Sequence, residues 1–154
     1  MAGDVAGPPP TSIASNLLAA TRICLFIGWT LLCIPAQLVF LATSRRASTW
    51  FPAFFHRRLG RFLGFKVQSY GERSAAAPTL FICNHLSYID IVTLGGAFEG
   101  SFISKADVRS WPVFGVLARL QRTIFIERSR EAVRSQANAV SARLAAGDAL
   151  MLFA

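Results

Sequence analysis

The sequence predicts an α/β fold in which N-terminal membrane-associated helices precede a largely parallel sheet with flanking helices. Three observations predict it. Four short apolar runs, at residues 79–83, 101–104, 123–126 and 149–153, alternate with helix-like stretches, the pattern of consecutive βα units. An uncharged run from Ile23 to Ser44 stands ahead of them. The net charge of +8 on this 154-residue chain falls wholly in residues 45–154, because Asp4 and Arg22 cancel in residues 1–44.

Composition narrows the function classes. The chain is 53% hydrophobic and only 16% charged, which excludes a disordered protein. Its length suits one domain with a modest core, not a core plus a large membrane bundle. Cys24, Cys33 and Cys83 form no CxxC pair, which excludes a disulfide scaffold and argues against a structural zinc site. A pI near 10.7 implies an anionic partner: nucleic acid, phospholipid headgroups or a phosphorylated substrate.

Residues 1–16 are rich in Ala, Gly, Pro and Ser, with Pro8-Pro9-Pro10 among them, and read as a flexible tail. Residues 17–44 read as a membrane anchor, a single helix or a helical hairpin. As a helix the uncharged run from Ile23 to Ser44 spans about 33 Å, enough for the hydrocarbon core. Pro35 and Gln37 interrupt it, so a helix bent near Pro35 and dipping into one leaflet stands beside a spanning one. A buried core helix is equally apolar all round. A cleaved signal peptide fits poorly, since no basic residue precedes Arg22 and Ile34-Pro35-Ala36 is a poor cleavage site. Arg45, Arg46, Arg57, Arg58 and Arg61 follow the anchor, which puts the rest of the chain on the cytoplasmic side.

Residues 45–66 read as a basic aromatic interfacial helix. Wound helically, Phe51, Phe54, Phe55, Leu59 and Phe62 share one arc, with Arg57 and Arg61 on its flank and Arg58 snorkelling from within it. His56 falls in this cluster and is expected at the interface. An ordinary amphipathic helix packed on the domain has the same pattern. Nucleic-acid binding is disfavoured by the neighbouring uncharged run.

Residues 67–154 form the α/β part. Val67–Tyr70 is read as a short strand, and Gly71–Pro78 as a loop. Thr79–Cys83 reads as a strand buried on both faces. Helix is expected over Ser87–Phe98, Val108–Leu120 and Ser129–Ala146, with Gly147 as the last stop. Strands are expected at Ser101–Ser104, Thr123–Ile126 and from Ala149.

The chemistry-bearing residues fall at strand ends. His85 follows the first apolar run, and Asp90 comes five residues later, one helical turn back toward His85. A carboxylate on one ring nitrogen fixes the imidazole tautomer and stabilises the imidazolium formed when the other nitrogen takes a proton. His85 is therefore a candidate general base for a hydroxyl nucleophile. Helix capping by the same pair is the alternative. Ser87 is a lesser candidate nucleophile, because no GxSxG surrounds it. Two such ligands are too few for a metal site. Lys105 ends the second apolar run and Arg128 follows the third, so parallel strands would deliver His85, Lys105 and Arg128 to one edge. A guanidinium beside a helix N-terminus suits a phosphate monoester; a solvated basic turn is its plain alternative.

Three blocks occur in order: Asn84-His85-Leu86-Ser87-Tyr88-Ile89-Asp90, then Lys105-Ala106-Asp107 with Trp111-Pro112-Val113-Phe114-Gly115, then Phe125-Ile126-Glu127-Arg128. Together they resemble the glycerolipid acyltransferases, with the 1-acyl-sn-glycerol-3-phosphate (lysophosphatidic acid) acyltransferases as the nearest branch. The resemblance covers roughly residues 20–154. It implies that His85 is the base on the free hydroxyl of a lysophospholipid, that Asp90 orients it, and that the alkoxide attacks an acyl thioester. It further implies a substrate-binding role for Arg128 on the acceptor phosphate, with Lys105, Asn84 and Ser87 beside it. No bound cofactor or metal is implied, the acyl-CoA or acyl carrier protein thioester being a co-substrate. The expected partners are membrane lipids, lysophosphatidic acid and the thioester donor, and not nucleic acid. Acylation of another lyso-lipid, such as lyso-ornithine lipid, is the alternative within the class; a non-catalytic membrane-binding fragment is the alternative outside it.

Two departures accompany the resemblance. The family's third block reads like FPEGT, and here Phe153 is followed by Ala154. The expectation is an N-terminal part of an acyltransferase, truncated before that block, with an incomplete sheet, an exposed edge and little or no activity. Arg122 stands where the family commonly has Gly.

Overall fold

The computed structural model describes residues 13–74, 76–127 and 132–153. Helix α1 runs Ile13–Thr43 and α2 runs Arg45–Phe62. Strand β1 (Thr79–Cys83) leads to α3 (Ile89–Ala97), and β2 (Ser101–Lys105) leads through a 3-10 turn (Ala106–Ser110) to α4 (Phe114–Leu120). Strand β3 (Ile124–Ile126), α5 (Ala132–Ala145) and β4 (Ala149–Phe153) follow. The four strands form one parallel sheet in the order β1-β4-β2-β3. The mixed α/β class and the parallel sheet behind a long apolar helix are as the sequence predicts.

The segment expected as an anchor is one continuous helix. It begins at Ile13, inside the stretch expected as tail, and passes through Pro35 without a break. Ser44 ends it: its extended backbone (φ −149°, ψ 112°) and its Oγ, which accepts from Ala47 N, make it the N-cap of α2. The two helices therefore fold back at one residue. At 31 residues, α1 is about 46 Å long, and among the described residues it is the one helix long and apolar enough to cross a membrane. Leu17, Leu18, Ile23, Leu31 and Leu32 are exposed along it, whereas Thr30, Cys33 and Gln37 form its buried stripe.

Helix α2 is sandwiched between α1 and α3. Its ring-bearing side meets α1, where Trp29 lies 5.8 Å from Phe54 and 5.5 Å from Phe62. Arg58 does not reach away from the rings; its guanidinium sits 5.3 Å over Phe54. The other side approaches α3 closely because glycines line the contact. A Cβ on Gly95 would stand 2.7 Å from the His56 ring, and one on Gly96 3.2 Å from the Arg57 backbone. His56, expected at the interface, is thus buried, at 7% exposure.

Pro52 has no N–H to give the Ser48 carbonyl, four residues back. Gln37 Nε2 of α1 supplies that bond at 3.1 Å, and also donates to Leu120 O, in the last turn of α4, at 2.6 Å. The residue that interrupts the apolar run is therefore a tie between three helices.

Helix α3 covers one face of the sheet, where Phe98, Phe102 and Met151 pack with Phe81, Ile91, Leu94 and Phe153. Strand β4 is central, and Leu150 has no exposure at all. Strand β1, at the sheet edge, is not the doubly buried strand the sequence suggests: its alternate residues Leu80 and Ile82 are exposed, Ile82 at 66%, so one of its faces is uncovered. Val67–Tyr70 carries no regular structure, because no strand stands beside it to pair with. The helix expected over Val108–Leu120 is split by Pro112 and by Val113, whose φ is 64°. Gly115 is required there, since a Cβ would come within 2.4 Å of Arg109 O. Arg122 has φ 62°, a left-handed value that accounts for the family's Gly at this position.

The opposite, N-terminal edge of the sheet holds a charge cluster. The nearly buried carboxylate of Asp148 pairs with Arg45 at 3.0 Å and Arg122 at 3.3 Å, and also with Arg143. Burial pushes the Asp148 carboxyl up, but the hydrogen bonds from Arg143 and Arg45 outweigh it and hold it below the usual carboxylate range.

Candidate active site

Strand β1 ends at Cys83, and the chain turns through Asn84–Tyr88 before α3 begins. That turn is built on one carboxylate oxygen. Asp90 Oδ2 accepts from Leu86 N at 2.7 Å and from Ser87 N at 2.9 Å, and lies 3.2 Å from His85 Nδ1. The backbone N–H groups of Ser87 and Leu86, more than the His85 ring, hold the Asp90 carboxyl below its ordinary range. An ionised Asp90 takes the Nδ1–H of His85, which leaves Nε2 as the free, proton-accepting nitrogen. The sequence-predicted pair is thus brought together, and Asp90 also shapes the turn.

The imidazole rests on Phe153, with ring centroids 4.3 Å apart and planes 27° from parallel. This follows from topology: β1 and β4 are neighbours in register Cys83↔Phe153, so the ends of both strands meet.

Ser87 Oγ accepts from Ile89 N at 3.2 Å, and no hydrogen bond joins Ser87 to His85 among the described residues. A relay from Ser87 through His85 is therefore not assembled. Lys105 ends β2 on the same sheet edge as His85 and pairs with Asp107. Asn84 is exposed and lies off the cavity wall. Arg128 lies outside the described residues.

His85, Ser87 and Lys105 line one large cavity of about 710 Å³ between the α1–α2 pair and the C-terminal edge of the sheet. Its wall is mainly apolar, with Phe26, Ile34, Phe51, Leu59 and Trp111 among the contributors. Sequence reasoning missed this wall, because about a third of it comes from α1 and α2, distant in sequence from His85. Three of its polar residues are deeply buried. Thr30, Gln37 and His56 are each more than nine-tenths buried. His56 Nε2 bonds Gln121 Oε1 at 3.1 Å, and burial pulls the imidazole down to about 4, an effect that bond only partly offsets. The ring is therefore neutral at physiological pH. Among the described residues no cluster of three or more His, Cys, Asp or Glu could hold a metal ion.

Comparison with known proteins gives a family and several relatives. The model of the Acyltransferase family matches residues 65–154, the segment from the end of α2 to β4. The chain is 42% identical over 129 residues to the lyso-ornithine lipid O-acyltransferase of Brucella abortus (strain 2308), covering 83% of this chain and 48% of the relative. It is 36% identical over 130 residues to the lyso-ornithine lipid O-acyltransferase of Rhizobium meliloti (strain 1021), covering 84% and 44%. It is 35% identical over 75 residues to the 1-acyl-sn-glycerol-3-phosphate acyltransferase of Neisseria gonorrhoeae, covering 48% and 29%. The chain thus spans about half the length of the first of these relatives and less of the others. No solved structure matches it.

Proposed function

The chain belongs to the acyltransferase family, and from that premise we propose that it serves a membrane-bound enzyme moving an acyl group from a thioester to the hydroxyl of a lyso-lipid. The observation that carries this reading is His85, paired with Asp90, standing in the wall of an apolar cavity. His85 Nε2 takes the proton of the acceptor hydroxyl. The oxygen attacks the thioester carbonyl carbon, the C–S bond breaks, and the imidazolium returns the proton to the departing thiolate. Asp90 stabilises the imidazolium through Nδ1–H. Acyl-CoA or acyl carrier protein is the donor. Helix α1 inserts in the bilayer, and the arginines after it keep the site on the cytoplasmic side.

Lyso-ornithine lipid is the acceptor favoured here. The relatives matched over more than four-fifths of the chain carry that name, whereas the phosphate-acceptor relative matches over less than half. Lysophosphatidic acid is the second reading, favoured by Arg128 in the block Phe125-Ile126-Glu127-Arg128. The test is acyl transfer to each acceptor, with Arg128→Ala beside the wild type. Preference for lyso-ornithine lipid and indifference to Arg128→Ala support the first reading. Preference for lysophosphatidic acid, with an acceptor KM raised by Arg128→Ala, establishes the second. Transfer to neither acceptor by the chain joined to the C-terminal half of the Brucella relative defeats both.

A further inference from the structure

The turn between the 3-10 segment and α4 carries apolar side chains outward. Val113 is 57% exposed and Phe114 54%, and Trp111, Tyr88 and Leu86 are exposed as well. The rings of Tyr88 and Trp111 stand together, with centroids 6.1 Å apart. Phe114 N donates to Pro112 O at 2.7 Å, and Val113 between them has φ 64° and ψ −61°, a γ-turn of the rare and strained hand. A β-branched residue is held at its tip, where glycine would be at ease. An exposed apolar patch of this kind marks a contact site.

Helix α1 is seated lengthwise on the domain. The guanidinium of Arg22 lies against Gly64, where a Cβ would come within 2.7 Å of it. Trp29 Nε1 donates to Phe55 O at 3.3 Å, and Gln37 ties the helix to α2 and α4. The face left for lipid is therefore its outer flank, where Leu31, Leu32 and Val39 are exposed. Phe26 and Ile34 of α1 line the same cavity as Trp111 and Phe114, so the turn stands across the cavity from α1. Trp111 and Phe114 are exposed as well as lining it, and so mark its rim. From Val108 to Arg122 the chain holds three arginines and no acid, and Arg109 and Arg119 are exposed. An apolar tip flanked by arginines suits a segment seated among anionic lipid headgroups.

We propose that the turn at residues 111–114 is a second membrane contact, which docks on the same anionic leaflet as the outer flank of α1, so that the rim of the cavity meets lipid on two sides. The contact rests on α1 inserting in the bilayer, but not on the acyl-transfer chemistry.

The test is quenching of tryptophan emission by vesicles of phosphatidylglycerol and phosphatidylcholine whose acyl chains carry bromine near the headgroup or near the chain end. The chain is measured alone and joined to the C-terminal half of the Brucella relative. Trp111 is read as the difference between the wild type and Trp111→Phe. Val113→Trp, combined with Trp111→Phe, is read against Trp111→Phe alone and reports a position off the cavity wall. Both positions should lose emission in both proteins, most strongly to bromine near the headgroup, at a depth of about 5–10 Å. Val116→Trp, also exposed and off the wall, takes the place of Val113→Trp if that variant fails to fold. Quenching of Trp111 alone would mean lipid inside the cavity, and overturns the contact. Quenching that the joined half abolishes overturns it too, because the turn is then covered by protein. So does the absence of quenching at both positions. Sedimentation with the vesicles separates the turn from the anchor: a protein that sediments unquenched keeps the anchor and loses the turn, and one that fails to sediment loses both.

Discussion

Phe153, the last described residue of β4, lies flat against the imidazole of His85 with ring centroids 4.3 Å apart. One face of the base is thus closed by the neighbouring strand while Asp90 holds its Nδ1 edge. Phe153→Leu keeps apolar volume but removes the stacking plane. It should lower kcat about fivefold with little change in acceptor KM. Steady-state kinetics check this; an unchanged kcat would show that the stack does not position the base.

Asp90→Asn should reduce turnover about a hundredfold or more, because an amide cannot stabilise the imidazolium as a carboxylate does. Asp90 has a depressed folded-state pKa, so it stays ionised through mildly acidic pH. Its contribution to stability is present above the unfolded carboxylate value and is lost as pH falls through the lower folded value. Carboxyl NMR titration should therefore place Asp90 below the ordinary aspartate range. A value at or above that range contradicts the backbone clamp by Leu86 and Ser87.

Gln37→Leu should cost about 2 kcal/mol, since it strands the carbonyls of Ser48 and Leu120 that Gln37 now satisfies. Thermal unfolding in detergent measures it. A neutral effect would mean that neither carbonyl depends on α1.

Asp148→Asn should cost about 3 kcal/mol near neutral pH, because three guanidinium groups then face one another without their shared carboxylate. The folded-state pKa of Asp148 is depressed, so the wild type's advantage is held above the unfolded value near 4 and shrinks as pH falls through the folded one. Paired melts of wild type and variant at several pH values check the sign. An advantage that grows on acidification would contradict the assignment.

Much of this architecture is legible in the sequence because its signals are local. Thr79–Cys83, Ser101–Lys105, Ile124–Ile126 and Ala149–Phe153 are short apolar runs, and each forms a strand. His85 and Asp90 are five residues apart, so one turn joins them without help from the rest of the fold. What stayed hidden is non-local. The insertion of β4 between β1 and β2 puts Phe153 beside His85 and exposes one side of β1, and no single segment encodes strand order. The burial of His56 depends on Gly95, 39 residues away, having no Cβ where the ring lies. The role of Gln37 depends on Pro52 having freed the Ser48 carbonyl. Val67–Tyr70 has strand-like residues but no neighbour, which alternation alone cannot reveal.

The most direct test of the account is acyl transfer from labelled acyl-CoA and acyl carrier protein thioesters to lyso-ornithine lipid, comparing wild type with His85→Ala in membranes. The chain is assayed alone and joined to the C-terminal half of the Brucella relative. The account predicts that the joined wild-type protein makes the O-acylated lipid, and that His85→Ala makes none while remaining in the membrane fraction. Undiminished transfer by His85→Ala would contradict it.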